Sequence, residues 1–445
     1  MIAFLSVYAC EPGKGSEPEV GWRVATGMAS HCKVRAITRA NNREAIEAGL
    51  AEMDGAKPEF LYYDLPAPFL KLKKRILGTS GYYILWQIAA RWHFRKELES
   101  ADLIHHVTFN GVQFPGLWFN TGKPVVLGSL GGGMTCPSSL LPLFGKHAAK
   151  EKRRSLLIRS LHLLPWWRET VEKATTVIAA NRETADLLQP HRSETVPVLL
   201  ETAVFPEMIT NSPRPTRDAA ALKILWLGQM IPRKAPLLAL QAFAKALESE
   251  PDLRLTIAGP GPEEERVRAE ALRLGITDKV EIPGRVPKER VNSLMDETDA
   301  FLFTSIRDTS GNVVLEAMSR GVPVIALHHQ GIREICDPDS SLLVEPSSIS
   351  ETIQDFAEAM IRLKREDGLA QRLGTAGIER VAKLFTWPNY CERMMEFYQA
   401  SIESELSNIH TNASKPERGK SLNHNGSEAD MDRLKNRISP SNKRG

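Results

Sequence analysis

The stretch Arg307–Leu327, RDTSGNVVLEAMSRGVPVIAL, decides the fold. Before it stands DAFLFTS, a short apolar run suited to a strand buried on both faces. Thr309, Ser310 and Gly311 are turn and N-cap residues. VVLEAMSRG then reads as a helix ended by Gly321, and Pro323 opens the apolar run PVIAL, so the order is strand, helix, strand. In such a unit the helix N-terminus faces the carboxyl edge of the sheet, where free backbone N–H groups and the positive end of the dipole suit a phosphate. Two carboxylates lie around this turn: Asp308 in the loop and, after seven intervening residues, Glu316 in the helix. Glu316 could accept hydrogen bonds from a pair of hydroxyls such as those of a ribose. An isolated pair of acids at this spacing reads equally as a solvated loop residue and a helix-surface residue, so the rest of the chain decides.

The same alternation recurs outward. LKILWLGQMIPRKAPLLALQAFAKAL, from Leu222, is an apolar strand meeting Gly228, a basic turn with Arg233 and Lys234, and an amphipathic helix. LRLTIAGPGPEEERV gives a further strand ending in glycine, and KVEIPGRVPKERVNSLMDETDAFLF a strand, loop, helix and strand. Toward the N-terminus, MIAFLSVYAC is a strand candidate, too short to cross a membrane and without the basic start expected of a signal peptide. A glycine-containing loop with Gly13 and Gly15, a helix and a second strand follow, the opening β-α-β of a doubly wound domain, although G-x-G-x-x-G is absent. ADLIHHVTF ends a strand in His105 and His106, of which alternation lets only one face each side. PVVLGSLGGGMTCP runs from a strand into Gly131, Gly132 and Gly133.

Together these segments resemble the retaining GT-B glycosyltransferases of the family-four, group 1 type, over nearly the whole chain to about residue 400. The carriers are the acid-x7-acid run Asp308–Glu316, where the family usually has glutamate first, and GSEPEVGW, which resembles one branch. The resemblance implies an α/β fold of two Rossmann-like doubly wound domains facing across a cleft. It implies a nucleoside-diphosphate sugar as co-substrate, no other cofactor and no metal. Lys234 matches the lysine that grips the donor diphosphate, while Gln229 stands where the family has arginine, a loss of charge that Arg233 could offset. Asp308, Lys234 and His106 become the catalytic candidates. Glu316, Gln229, Arg233, Val286 in the base-reading loop, Ser310, Gly311, Asn312 and Val313 become donor contacts. Gly13, Gly15, Gly131 and Gly132 become cleft-loop residues. Gly331 and Glu334 sit where relatives carry a glycine pair and an acid, with Gln330 in place of the first glycine. No residue is placed as a nucleophile, so front-face attack by the acceptor is the economical expectation. Relatives of this type build bacterial exopolysaccharide, capsule or lipopolysaccharide on saccharide or lipid-linked acceptors. Two alternatives come from other classes: a weakened GT-B protein that only binds nucleotide, and a GT-B sugar-nucleotide epimerase.

Composition agrees. The 445 residues, 42% hydrophobic, suffice for two cores. The expected organisation is a first domain over 1–205, a linker over 206–221, a second domain over 222–385, a C-terminal helix over 386–405 that could cross back, and a disordered tail over 406–445. A net charge of +3 gives no reason to expect nucleic acid as a partner. KLKKR at 71–75 and KEKRR at 150–154 lie near GYYILW and HLLPWW, a combination suited to an anionic lipid surface or, equally, to solvated helix faces. No run of apolar residues reaches membrane-spanning length. The five cysteines have no zinc spacing and fit a reducing compartment, so the expected location is cytoplasmic, at the inner face of the plasma membrane if the basic patches dock there.

Overall fold

The computed structural model describes residues 1–72, 78–210 and 221–413, without the side chains of 70–72 and 408–413. It contains two six-stranded sheets. The first is built from β1 (Ile2–Ser6), β2 (Lys33–Thr38), β3 (Glu59–Tyr62), β4 (Leu103–His106), β5 (Val125–Leu130) and β6 (Thr176–Ala179), in the order β3-β2-β1-β4-β5-β6. The second comprises β7 (Leu222–Leu227), β8 (Leu253–Ala258), β9 (Val280–Gly284), β10 (Ala300–Phe303), β11 (Val324–Leu327) and β12 (Ser341–Val344), in the order β12-β11-β10-β7-β8-β9. Renumbered from its own first strand, the second order is the first again: 3-2-1-4-5-6, the doubly wound arrangement. Neighbouring strands run parallel, with Ala3 beside both Val34 and Leu103 in the first sheet, and Ile224 beside Leu255 and Ala300 in the second. β10 and β11 are apolar throughout and every residue of both is buried, as expected of strands covered by helices on both faces.

This order reverses direction between β1 and β4 and between β7 and β10, and ligands of such sheets bind beyond the strand ends at that reversal. In the first sheet the reversal is flanked by the loop after Ser6 and by His105 and His106. In the second it is flanked by Gly228–Lys234 and Thr304–Gly311.

The chain divides into two compact units: 1–130, 165–178 and 391–445 form one, and 131–164 with 179–390 the other. This differs from a first domain over 1–205. Residues 131–164 and 179–205 fold with the second sheet, because Leu140 and Phe144 lie in the core around β7 and β8 and Val204 bridges to Thr386. Of the expected linker, 206–210 carries the turn Pro206–Met208, and Thr210 donates to the Ser319 carbonyl, so these residues also belong to the second unit; 211–220 lie outside the described residues. So do residues 414–445 of the expected tail and 73–75 of KLKKR. The last helix runs Trp387–Ala413, and from Cys391 it packs on the first unit. There Tyr398 Oη meets His105 Nδ1 at 2.7 Å, and Ser401 bonds Thr176 at 2.7 Å.

Tyr398→Phe keeps the ring and deletes the partner of a fully buried imidazole nitrogen. Denaturant unfolding should show a loss of about 1–3 kcal/mol. Unchanged stability would mean that this bond does not pin the returning helix.

Candidate active site

The loops at the β7/β10 reversal are tied together by backbone and buried side chains. Trp226 Nε1 donates to Thr304 Oγ1 at 3.0 Å, and that hydroxyl in turn donates to the carbonyls of Lys234 and Ala235. Ile306 N donates to the Arg233 carbonyl at 2.9 Å, and Arg233 Nη1 to that of Arg307 at 3.1 Å. Lys234 closes a short 3-10 turn, Pro232–Lys234, before the helix Pro236–Leu247, and forms an ion pair with Asp308. Arg233 lies 3.6 Å from the other Asp308 oxygen. Burial lowers the Lys234 pKa, opposed by the Asp308 carboxylate, so the ammonium is held in a poorly solvated place by one counter-ion.

The helix Asn312–Ser319 starts from Gly311, whose left-handed φ of 71° turns the chain out of the loop. Ser310, nearly buried, donates to Glu201 and to Asn312 Oδ1. Val313 and Val286 pack on the core below. Gln229 is exposed, with no side-chain partner among the described residues. Glu316 is half-buried on the helix, and its carboxylate makes no hydrogen bond among the described residues. Burial raises its pKa, partly offset by Arg320 and Lys288.

Gln330 stands in place of the first glycine of the pair. The residue takes the glycine-like φ of 55° and is 2% exposed. Its side chain accepts from Asp308 N at 2.9 Å and donates to the Thr135 carbonyl at 2.9 Å, bonds that offset the strain of an unusual φ. Gly331 follows because a Cβ there would lie 2.1 Å from the Thr309 carbonyl. Gly131 also backs on this loop, its would-be Cβ 2.8 Å from Thr309 Cγ2, and the Gly132 carbonyl accepts from Arg154. The KEKRR run is therefore not all surface: Glu151 and Arg154 turn inward, Glu151 pairing with Arg307 at 2.9 Å.

In the first unit both strand-end histidines are buried, but only His105 has both nitrogens bonded, to Tyr398 and the Gly128 carbonyl. It is structural. His106 bonds Tyr83 through Nε2, while its buried Nδ1 has no partner among the described residues. The Phe109 amide donates to Glu17, a residue of GSEPEVGW that sequence reasoning passed over, and the Phe109 backbone beside His106 partly opposes the effect of burial on that imidazole. Burial lowers His106 to about 3, so it is neutral across the physiological range. Gly13 and Gly15 both take φ of 73°, and Gly13 N donates to Glu19, which fixes the loop ahead of the helix Ser16–Ala29.

With this geometry in place, comparison with known proteins gives a family. Residues 210–380 match the profile of Glycosyl transferases group 1. The match covers 171 of the 445 residues. A chain of Escherichia coli K12 assigned to colanic acid biosynthesis as the glycosyltransferase WcaL is 29% identical over 168 residues, 36% of this chain and 41% of that one. The chain thus spans about two fifths of the length of that curated relative. Among solved structures, sucrose-phosphate synthase from Thermosynechococcus elongatus superposes with a TM-score of 0.61 at 16% identity, covering 91% of this chain and 99% of that one. Anabaena HepE, solved with UDP and glucose, gives 0.56 at 15% identity, covering 90% and 100%. The fold is GT-B, two Rossmann-like domains. The group 1 segment contains both loops of the β7/β10 reversal and Glu316.

A raised folded pKa means that the native state disfavours ionised Glu316 relative to the unfolded chain. Stability then falls as pH rises from the ordinary value of 4.5 through the raised one, and the penalty is complete above it. Glu316→Gln carries no such penalty. Thermal unfolding should show the variant more stable than wild type at pH 7.5, with the gap closing as pH drops below 4.5. A variant less stable at every pH would contradict a half-buried carboxylate that lacks a hydrogen bond among the described residues.

Proposed function

We propose that the chain is a retaining glycosyltransferase that moves a sugar from a nucleoside-diphosphate sugar to a saccharide or lipid-linked saccharide acceptor, in bacterial surface-polysaccharide biosynthesis. One observation carries this reading: Lys234, Arg233, Asp308 and the start of the helix Asn312–Ser319 converge at one sheet reversal, with the unpartnered Glu316 carboxylate a turn further on. The cations and helix amides take the diphosphate, Glu316 the ribose hydroxyls, and Val286 with its loop lies against the base. Gln229 adds a neutral amide at the same loop.

In the reaction the bond from the anomeric carbon to the β-phosphate oxygen breaks, and charge builds on the departing diphosphate. Lys234, freed from part of its pairing with Asp308, and the helix amides stabilise that charge where water is scarce. Asp308 accepts from a hydroxyl of the sugar. The acceptor hydroxyl attacks the same face and its proton passes to the leaving phosphate oxygen, so configuration is retained. Because Lys234 and Arg233 supply the counter-charge, no metal is required. His106, buried and neutral, serves as a hydrogen-bonding group and not as a titrating base. The WcaL similarity supports a polysaccharide pathway, and the UDP and glucose bound by HepE support a nucleotide-sugar donor.

A donor at about a hundred times its Kd should stabilise the protein by about 2.7 kcal/mol. Thermal shifts with UDP, GDP, ADP and dTDP sugars should single out one base, and with that donor Glu316→Gln should lose transfer while keeping its fold. Binding without transfer in wild type would favour the nucleotide-binding scaffold; conversion of the free sugar nucleotide without an acceptor would favour an epimerase.

The same reading includes contact with the anionic inner face of the plasma membrane. The helix Ala148–Arg159 exposes Leu156 and Leu157 among Lys150, Lys152, Arg153 and Arg159, and Leu163 is exposed just beyond. No carboxylate shares that face, since Glu151 is buried. Among the described residues no helix is long and apolar enough to cross a membrane, so adsorption is the mode proposed. The protein should co-sediment with phosphatidylglycerol vesicles and not with phosphatidylcholine, and the double variant Lys152→Glu, Arg153→Glu should abolish this. Equal binding to both lipids, or none to either, would contradict it.

A further inference from the structure

Beside the Lys234–Asp308 pair lies a second charged group that the family's acid pair and lysine do not explain. Arg307, the residue before Asp308, reaches Glu151 through Nε at 2.9 Å, and Glu151 also lies 3.5 Å from Arg154. Glu151 comes from a helix far away in sequence, and its side chain is 5% exposed. Arg154 spends its two terminal nitrogens on the carbonyls of Met134 and Gly132, at 2.9 and 2.8 Å. It is committed to holding the glycine-rich loop.

Arg307 is not committed in this way. Glu151 lies beside Nε as an ion pair without satisfying hydrogen-bond geometry, and no nitrogen of the Arg307 side chain makes a hydrogen bond among the described residues. Its side chain is 20% exposed, so that end of the guanidinium reaches solvent. Its backbone is fixed as well, because Arg307 N donates to the Arg233 carbonyl and its own carbonyl accepts from Arg233 Nη1.

The linked set holds four cations, Arg154, Arg233, Lys234 and Arg307, against two carboxylates, Glu151 and Asp308, a surplus of two positive charges. The surplus is felt inside the cluster. Burial, reinforced by Arg307 and Arg233, lowers Arg154 to about 10, and burial with Arg233 nearby also lowers Arg307. A dianionic ligand would balance the group. Meanwhile Gln229, where a charged grip on the diphosphate was expected, is neutral and exposed.

We propose that Arg307 is a ligand of the donor diphosphate, oriented by Glu151, and supplies the cationic fork that Gln229 lacks. The proposal rests on the donor reading of this site given above. A guanidinium held at Nε leaves its outer edge free for two parallel bonds to phosphate oxygens, a geometry that lysine cannot copy.

The test is calorimetric titration of the full chain with UDP, GDP and inorganic pyrophosphate, for wild type, Arg307→Gln, Arg307→Lys and the exposed control Lys57→Gln. Arg307→Gln should weaken the bound nucleoside diphosphate and pyrophosphate by the same factor, tenfold or more. Arg307→Lys should recover part of the loss, and Lys57→Gln should bind as wild type does. A thermal melt of each variant without ligand establishes that it is folded; should Arg307→Gln fail to fold, Arg307→Lys carries the comparison. Wild-type binding left unchanged by both Arg307 variants would overturn this proposal and leave the donor reading standing. Absence of any binding by wild type would remove the donor reading, and this proposal with it.

Discussion

The ion pair between Lys234 and Asp308 is the interaction on which the rest of the site depends. Each comes from the loop beyond a strand at the sheet reversal, so the pair exists only if β7 and β10 are neighbours and their loops end at the same height. Thr304, Trp226 and the Arg233 carbonyl enforce that height with buried hydrogen bonds, and Ala235 takes a left-handed φ of 49° to launch the next helix from the same point. An ammonium removed from water needs a counter-ion, and a single carboxylate shared with Arg233 leaves it ready to exchange partners with a phosphate. Under the proposed function, that exchange is what would seat the diphosphate.

Close backbone approach is the second condition. Gly331 lies against the Thr309 carbonyl, and Gly261 likewise leaves its would-be Cβ 2.3 Å from the Met230 carbonyl. The GPGP turn and the 330–331 turn are therefore the surfaces on which the two loops of the reversal rest. Gln330 shows how a departure from glycine is tolerated: strain in φ is offset by an amide that ties Asp308 to Thr135.

Much of this was legible in the sequence. Strand-helix alternation gave both doubly wound domains because buried parallel strands are continuous apolar runs, and the residues of the reversal were legible because they directly follow such runs. Asp308 lies five residues after the end of β10 and Lys234 seven after the end of β7. What escaped was tertiary. Nothing local in KEKRR shows that Glu151 and Arg154 turn inward while Lys152 and Arg153 face solvent; that depends on which side of the helix meets Arg307. The boundary at 205 was misplaced for the same reason, since Leu140 and Phe144 choose their core by packing and not by position in the chain. The paired histidines were separable only once Tyr398, nearly three hundred residues later, was seen to occupy His105.

The central claim is that a nucleoside diphosphate is held at the reversal of the second sheet. Hydrogen exchange read by mass spectrometry, with and without each of UDP, GDP, ADP and dTDP, locates that ligand directly. The account predicts that one of them slows exchange in the loops 228–235 and 304–313. Protection elsewhere in the second unit with these loops unchanged, or no protection by any of the four, would contradict it.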